Sequence, residues 1–352
     1  MKKIILILMF MPLIVYAGTG GTKTVIENGT GNYTSLASWQ AGEVGKLNQV
    51  AYAIISGSWT NVETSLFISG WTTYTTAYVL IQTQGQARHS GIWNDTAHRI
   101  VTDDQEPIGI DDKHVRLDGL QIESQRDASL WNSMGIRCYD TGSTSAHYIS
   151  NCIIRYTNAG NPDDTNDISI SLSVGSAVTS KVWNNIIQNF GLGISGGWGV
   201  AGRIDYIYNN TIINCDRVVG ADSAGITIRD GAGDVELYLK NNIIQGTTKN
   251  YELTTFTVFI TSNNISQDNT SPNSAYITLQ PIFISSTNFH LVSVDTSAYQ
   301  KGVNLVSDSD SGISFSIDID SQTRPTIWAI GADDIPSAVS TRKRRCITNL
   351  FQ

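Results

Sequence analysis

Aromatic residues at alternating positions are the part of this sequence whose spacing best suits a ligand. Four of them face outward from predicted strands in three successive repeats: Trp183, Tyr206, Tyr208 and Tyr238. Flat rings pack on the apolar faces of sugars, so a row of such rings predicts a platform for a polysaccharide or a cell-surface glycan. The alternative is that the rings only pack against one another across neighbouring strands, which aromatic residues also favour.

Two acidic stretches have a composition that suits Ca²⁺. The first contains Asp163, Asp164 and Asp167, and the second contains Asp308 and Asp310. Ca²⁺ takes several oxygen ligands from a flexible loop, and either stretch can supply them. Neither stretch has the complete loop pattern with its distant Glu, so ordinary acidic turns are the simpler interpretation. Ca²⁺ is the one cofactor that the sequence suggests.

The charge composition argues against a nucleic-acid partner. Charged residues make up 15% of the 352 residues, and the formal net charge is −8. Phosphate binding needs a clustered basic surface, which this composition does not supply. The 5 His residues are thinly spread and show no metal-ligand spacing.

The first 17 residues, MKKIILILMFMPLIVYA, predict a secretory signal peptide. Lys2 and Lys3 form a basic start, an apolar core follows, and Ala17 ends a small-residue cleavage site. The apolar core is too short to span a membrane comfortably, and no other run approaches that length. We therefore expect an exported protein without a membrane span.

A repeated pattern positions the candidate ligand-binding residues. It consists of an apolar residue, Asn three residues later and Ile two residues after that, as in Ile207, Asn210 and Ile212. Other copies begin at Tyr148, before Asn151, and at Ile260, before Asn263. Copies recur at roughly 20 to 35 residues, with period-two strands and no helix between them, which indicates a β-solenoid. The Asn marks a corner where it tolerates a left-handed backbone, and stacked copies can hydrogen-bond in a ladder. We expect this ladder to contain Asn151, Asn185, Asn210, Asn242 and Asn263.

Both ends of a solenoid need a cap, because an uncovered coil exposes apolar core and unpaired strand edges. Residues 18–50 are predicted to form the N-terminal cap, in which Thr34 or Ser35 begins a short helix with Leu36 and Trp39 on one face. The remaining boundaries are coils over 51–280, a final coil and C-terminal cap over 281–336, and a basic tail over 337–352.

Several short motifs carry a resemblance to a known family. They are Tyr33–Trp39, Asn209–Ile212, Asn241–Ile244, Pro281–Phe283, Phe289–Leu291, Lys301–Gly302, Asp318–Pro325 and Ile330–Asp333. On these residues the chain resembles the bacterial exported right-handed parallel β-helix proteins of the pectate-lyase-like fold superfamily. The resemblance implies an all-β fold, a single right-handed parallel β-helix with a short helical N-terminal cap. It implies activity only weakly, since this fold hosts lyases, hydrolases, epimerases and proteins of other roles.

The resemblance also directs attention to particular charged residues. The Gly-His-Gly and Arg-Ile-Lys motifs of the pectin hydrolases are missing, which argues against that hydrolase activity. Lyases of the fold use an outward Arg or Lys near Ca²⁺-binding Asp residues to hold a uronate carboxylate and remove the adjacent proton. The corresponding candidates are Arg137, Asp140, Arg155, Arg229 and Asp230. The alternative is that these are solvated surface charges.

These observations support three functional hypotheses. The first is an exported β-helix protein that binds a polysaccharide and is either catalytic or not. The second is a non-catalytic surface or adhesion rod in which the solenoid is a spacer. The third is a uronate polysaccharide lyase, the enzyme class that the sequence favours over a glycoside hydrolase.

Overall fold

The structure is a computed structural model. It describes residues 22–45, 50–103, 105–125, 134–139, 144–157, 167–172, 175, 177–196, 202–216, 223–229, 234–254, 256–310 and 315–335. The predicted signal peptide and basic tail lie outside the described residues. So do four candidate site residues, namely Asp140, Asp163, Asp164 and Asp230.

Three parallel sheets form the body of the protein, and the chain visits them in turn. Sheet A contains β1 (Thr22–Val25), β2 (Ala51–Ile55), β4 (Val79–Thr83), β7 (His114–Asp118), β10 (Ala146–Ser150), β13 (Thr179–Trp183), β16 (Ile204–Tyr208), β19 (Glu236–Lys240) and β22 (Val258–Ser262). Sheet B contains β5 (Ile100–Thr102), β8 (Gln121–Ser124), β11 (Ile153–Tyr156), β14 (Ile186–Gln188), β17 (Thr211–Ile213), β20 (Ile243–Gln245) and β23 (Ile265–Ser266). Sheet C contains β3 (Leu66–Ile68), β6 (Ile108–Ile110), β9 (Ile136–Cys138), β12 (Ile168–Leu172), β15 (Leu192–Gly196), β18 (Ala224–Ile228) and β21 (Lys249–Leu253). This cycle is a right-handed parallel β-helix, so the predicted fold class is confirmed.

Columns of aliphatic side chains fill the interior of the β-helix. One column runs through sheet A as Leu117, Ile149, Val182, Ile207 and Leu239. Another runs through sheet B as Ile122, Ile154, Ile187, Ile212 and Ile244. All of these residues are buried. Their removal from water is the main force that holds neighbouring coils together.

Two predicted copies of the repeat are one residue out of register. Ile149, not Tyr148, pairs with Val182 across sheet A, and at the other end Ile260 is likewise displaced from the interior column. Successive side chains of a strand point to opposite faces, so a slip of one residue exchanges inside and outside. Tyr148 therefore belongs to the outer face of the sheet.

The five Asn residues predicted for one ladder divide between two adjacent columns at the corner between sheets A and B. The inner column contains Asn185, Asn210 and Asn242 and continues into Asn264 and Asn273. Each inner Asn donates its amide to the Oδ1 atom of the next, over 3.0, 3.1, 2.9 and 2.9 Å in order. In the coil that contains Asn151, the inner position is occupied by Cys152. The backbone N–H of Cys152 donates to Asn185 Oδ1 over 2.9 Å.

The outer column contains the left-handed residues of the corner. Its members have φ between 51° and 57°: Asn151, Asn184, Asn209, Asn241 and Asn263. The prediction of left-handed backbone at Asn185, Asn210 and Asn242 was therefore wrong by one position, because the left-handed residue is the one that precedes each of them. Asn tolerates this conformation because its short polar side chain can hydrogen-bond locally.

The N-terminal cap is the predicted short helix. Helix α1 (Leu36–Glu43) begins after Ser35, whose hydroxyl accepts from the N–H of Ser38 over 3.1 Å in a capping box. Leu36 and Trp39 are fully buried, and the ring of Trp39 stacks on Trp71 at 5.2 Å. The helix therefore covers the apolar end of the first coils.

Side chains of a loop cover the last coil. The backbone N–H groups of Asn250 and Tyr251, in the edge strand β21, donate to Asp268 Oδ2 and Thr270 Oγ1 over 2.9 Å each. Asn273 ends the inner column in the same loop, which contains a short 3₁₀ helix (Ser274–Tyr276). Another 3₁₀ helix (Gly85–Ala87) occurs much earlier in the chain, directly after β4. Pairing of edge groups in this way prevents another chain from adding to the sheet.

Residues 281–310 and 315–335, hereafter the C-terminal segment, lie along the outer surface of the β-helix. The described part begins with an antiparallel hairpin, β24 (Phe283–Ser285) and β25 (Asn288–Leu291), and adds no strand to the three parallel sheets. Apolar side chains of the segment pack on the outer face of sheet B: Phe289, Ile319 and Ala332 against Ile153, Ile186 and Ile213. Outer Asn side chains donate to its backbone oxygens: Asn184 to Ile317 (2.8 Å), Asn209 to Gly331 (3.0 Å) and Asn241 to Val303 (2.8 Å).

Candidate functional site

The predicted aromatic platform is present, but most of it is covered. Tyr206 and Tyr238 pair in register on adjacent strands, and their rings stack at 4.6 Å. The exposed fractions of Tyr206, Tyr208 and Tyr238 are only 8%, 0% and 9%. The C-terminal segment covers them with Leu305, Phe315 and Trp328. Burial raises the pKa of Tyr206 to about 12. Glycan binding by these three rings remains a prediction, and it requires the segment to move away.

Trp183 lies at the edge of the covered region. Its half-buried ring is 6.2 Å from that of Phe315 on the C-terminal segment. On the other side, its ring is 6.4 Å from the ring of Tyr148, which belongs to the preceding coil. Trp183 therefore joins the covered tyrosines to the part of sheet A that faces solvent.

The solvent-facing part of sheet A carries a column of alternating cationic and aromatic side chains. Arg116, Tyr148 and Lys181 pair in register on β7, β10 and β13, and all three are half-buried. The guanidinium of Arg116 lies 3.6 Å from the ring centre of Tyr78 and 4.8 Å from that of Tyr148. The ammonium of Lys181 lies 4.9 Å from the ring centre of Tyr148. Arg116, Tyr148 and Lys181 are hereafter the cation strip.

The cation strip is a region of concentrated positive charge. Within the described residues, Arg116 forms ring contacts only, with no hydrogen bond or ion pair. Burial and the neighbouring charge of Arg116 lower the pKa of Lys181, against the smaller opposing effect of Asp308. An anion that binds between the two cations reduces this repulsion, so the strip suits a ligand with repeated negative charges.

Sequence reasoning missed the cation strip because of the register slip. Tyr148 was assigned to the interior as the apolar member of a repeat, whereas it faces outward next to Lys181. The correct copy of the repeat is Ile149, Cys152 and Ile154. This copy can be found in the sequence if Cys is allowed to replace the ladder Asn in one coil.

The candidate catalytic cations are dispersed and ion-paired. Arg137 is in β9 on sheet C, Arg155 is in β11 on sheet B, and Arg229 follows β18 on sheet C. Their carboxylate partners are Glu106 at 3.0 Å for Arg137, Glu123 at 2.7 Å for Arg155 and Glu252 at 3.0 Å for Arg229. The structure therefore does not bring these three side chains together, and each guanidinium already binds a protein carboxylate.

The described residues of the two predicted Ca²⁺ stretches have other surroundings. Asp167 is buried and immediately precedes β12 in the sequence. Asp308 and Asp310 both accept from the ammonium of Lys240, with Asp310 Oδ2 at 2.6 Å. This contact fastens the C-terminal segment to sheet A, and the cation at the second stretch is a lysine side chain.

A cluster of one histidine and three aspartates lies within the C-terminal segment. His290 comes from β25, Asp318 and Asp320 come from one turn, and Asp333 comes from the end of the segment. His290 Nε2 is 3.4 Å from Asp320 Oδ2 and 3.9 Å from Asp333 Oδ1. These four residues are hereafter the acidic cluster. They occur in the short motifs that carried the family resemblance, but spacing in the sequence did not indicate that they meet.

The pKa values in the acidic cluster reflect burial and crowded carboxylates. Burial, together with the adjacent Asp320, raises the pKa of Asp318 to about 9. Burial raises the pKa of Asp333 to about 7, although His290 opposes the shift. The pKa of Asp320 is lowered, because its hydrogen bonds outweigh burial, and the hydrogen bond to Asp320 raises the pKa of His290. An imidazole nitrogen beside carboxylate oxygens is also a common donor set for a metal ion.

Comparison with protein-family models, with characterised proteins and with solved structures finds no match to this chain. Among the described residues, no helix has the length and apolar composition needed to cross a membrane.

Proposed function

We propose that this protein is exported and binds an anionic polysaccharide along the cation strip of sheet A. The observation that supports this function is the half-exposed column in which Arg116 and Lys181 flank Tyr148 from the neighbouring coils. Carboxylate or sulfate groups of a polysaccharide pair with the two cations, and the ring of Trp183 adds an adjacent apolar surface for a sugar.

The β-helix gives this site a fixed spacing. Neighbouring strands are about 4.8 Å apart, so two coils separate Arg116 from Lys181 by roughly 10 Å along the axis. The ring of Tyr148 between them restricts both cations through cation–π contacts. Cations held at a regular distance suit a polymer with regularly spaced charges, because little side-chain entropy is lost when it binds.

Calorimetric titration tests this proposal. Wild-type protein should bind polygalacturonate or alginate and should not bind neutral dextran. The variant Arg116→Gln, Lys181→Gln should bind about 30-fold more weakly, since two partly exposed ion pairs contribute about 1 kcal/mol each. The matched control is Lys249→Gln, Lys301→Gln, which removes the same charge from one half-buried and one exposed position outside the strip and should bind like the wild type.

Two outcomes contradict the proposal. Equal weakening in the test and control variants means that net charge, not the strip, determines binding. If the wild type binds no polysaccharide, the hypothesis of a surface or adhesion rod is favoured. Absorbance of unsaturated uronates in the same samples distinguishes a lyase from a binding protein.

A further inference from the structure

The acidic cluster contains a histidine nitrogen whose orientation is set by its neighbours. Asn288 Oδ1 accepts from the backbone N–H of His290 over 3.1 Å, so this atom is an oxygen acceptor. The same oxygen contacts His290 Nδ1, which must therefore carry a proton and donate. In a neutral imidazole, Nε2 then presents its lone pair to Asp320 and Asp333. A lone pair facing carboxylates is repulsive unless a metal cation lies between them or Nε2 takes up a proton, which the hydrogen bond to Asp320 favours.

Three carboxylate oxygens of the cluster are buried and accept no hydrogen bond from a nitrogen or hydroxyl donor in the described structure, although Asp318 and Asp320 share the proton that Asp318 retains. The three oxygens are Asp318 Oδ2, Asp320 Oδ1 and Asp333 Oδ1. The exposed fractions of Asp318 and Asp333 are only 0% and 3%. Leaving such an oxygen buried and unpaired is costly, and metal coordination is one way to satisfy it.

The other oxygen of each carboxylate is held by the protein. Asp333 Oδ2 accepts from the N–H of Leu291 over 2.9 Å, and Asp318 Oδ1 accepts from the N–H of Gln322 over 2.8 Å. Asp320 differs, because its Oδ2 atom, which lies 3.4 Å from His290 Nε2, also accepts from Gln322 Nε2 over 2.6 Å. Carboxylates oriented by second contacts of this kind are typical of metal sites.

Among the residues that the structure describes, too little positive charge lies at the cluster to neutralise it. The nearest arginine, Arg324, donates to Asp334 Oδ2 over 3.3 Å and to the backbone oxygens of Gly331 and Ala332 over 3.1 and 2.9 Å. Its guanidinium therefore hydrogen-bonds other partners, and its charge opposes only part of the upward pKa shifts of Asp318 and Asp333. Because its raised pKa keeps Asp318 protonated, the carboxylates of Asp320 and Asp333 lie against one histidine. A divalent ion bound by a neutral imidazole would balance these two negative charges.

We propose that His290, Asp320 and Asp333 bind a divalent transition-metal ion, with Zn²⁺ as the best fit and Asp318 as an adjacent carboxylate. Their ligand atoms all lie within 4.8 Å of one another, and two of the separations are 3.4 and 3.9 Å. Ligand atoms of a tetrahedral Zn²⁺ site are about 3.4 Å apart for bonds of about 2.1 Å. The imidazole ligand favours a transition metal over Ca²⁺ or Mg²⁺, which prefer oxygen ligands only.

The ion would join three parts of the C-terminal segment that are distant in sequence. It would connect β25, the turn at Asp320 and the end of the segment at Asp333, which lie over the outer face of sheet B. Metal binding would therefore stabilise the segment that covers Tyr206, Tyr208 and Tyr238. This inference is independent of polysaccharide binding by the cation strip.

Titration of chelator-treated full-length protein with Zn²⁺, Mn²⁺ and Ca²⁺, followed by calorimetry and thermal unfolding, tests the proposal. Zn²⁺ should bind with a stoichiometry of one, and a hundredfold excess over its Kd should raise Tm by about 5 °C. The isosteric variant Asp320→Asn, Asp333→Asn should lose both effects. Without metal this variant should be at least as stable as the wild type, because it relieves the crowding of charge. If the two aspartates had only a structural role, the metal-free variant would instead be less stable than the wild type.

Asp310→Asn is the matched control, since it changes a carboxylate of the same segment that binds Lys240. It should keep the response to Zn²⁺. Three results would overturn the proposal: no binding of any of the ions by the wild type, unchanged Zn²⁺ binding by the double variant, or a response to Ca²⁺ alone. The first of these would identify the cluster as a protonated histidine bound to carboxylates.

Discussion

Replacement of Asn210 by Ala is a severe test of the inner Asn column. Asn210 Oδ1 accepts from the N–H and the amide of Asn185 over 3.1 and 3.0 Å. Its amide donates to the oxygens of Val182 and Tyr208 over 2.9 and 3.1 Å, and to Asn242 Oδ1 over 3.1 Å. All five residues are buried, so water cannot readily replace the lost contacts.

The magnitude follows from the groups that the substitution leaves unpaired. The backbone N–H of Asn185 loses Asn210 Oδ1, and an unpaired buried donor costs about 1–3 kcal/mol. Asn185 keeps its amide contact with the oxygen of Ile149, which limits the loss there. The remaining lost hydrogen bonds contribute about 0.5–1.5 kcal/mol each. Asn210→Ala should therefore cost about 3–5 kcal/mol and lower Tm by roughly 5–8 °C.

Thermal and urea unfolding of Asn210→Ala and Asn273→Ala provide the measurement and its control. Asn273 ends the same column and accepts from Asn264 in the same way, but it is half-buried, so water can partly replace it. Asn273→Ala should cost about 1–2 kcal/mol. A loss below 1 kcal/mol in Asn210→Ala, or equal losses in both variants, would refute the account of the ladder.

Two further predictions concern pH and the C-terminal segment. Burial lowers the pKa of His147 to about 4, and its Nε2–H donates to the oxygen of Asp112 over 2.9 Å. The neutral form therefore contributes stability that is complete above pH 6.5 and is lost as the pH falls towards 4, by about 3 kcal/mol. His147→Gln should show a shallower loss of unfolding free energy over this range, and an unchanged slope would contradict the assignment. Deletion of residues 281–352 should give insoluble protein, because it exposes the rings of Tyr206 and Tyr238, and recovery of soluble, folded monomer by size-exclusion chromatography would contradict the described packing.

The sequence predicted the β-helix because its repeat is local. Alternating strands and the corner Asn each depend on a few neighbouring residues, so period and composition reveal them. The same locality explains the register error. Most corners contain two adjacent Asn residues, such as Asn209 and Asn210, but the corner at Asn151 has Cys152 in the second position. With one Asn missing, the pattern aligned on the wrong residue and turned Tyr148 inward.

The course of the C-terminal segment could not be predicted in the same way. It depends on contacts between residues far apart in the sequence, such as Asn209 with Gly331 and Asn184 with Ile317. No periodic signal records such contacts, because four outer Asn side chains each bind a different backbone oxygen: Asn184, Asn209, Asn241 and Asn263. Burial of the tyrosines and assembly of the acidic cluster both follow from this packing, so both were inaccessible to sequence reasoning.

Covalent capture of a bound uronate tests the proposed function most directly. Carbodiimide-activated oligogalacturonate forms an amide with a lysine that its carboxylate contacts, and peptide mapping then identifies that lysine. We predict Lys181 as the main site, with coupling suppressed by excess unactivated polygalacturonate and absent with activated galacturonate monomer at the same carboxylate concentration. Coupling spread over exposed lysines such as Lys113 and Lys301, with Lys181 unmodified, would contradict polysaccharide binding by the cation strip.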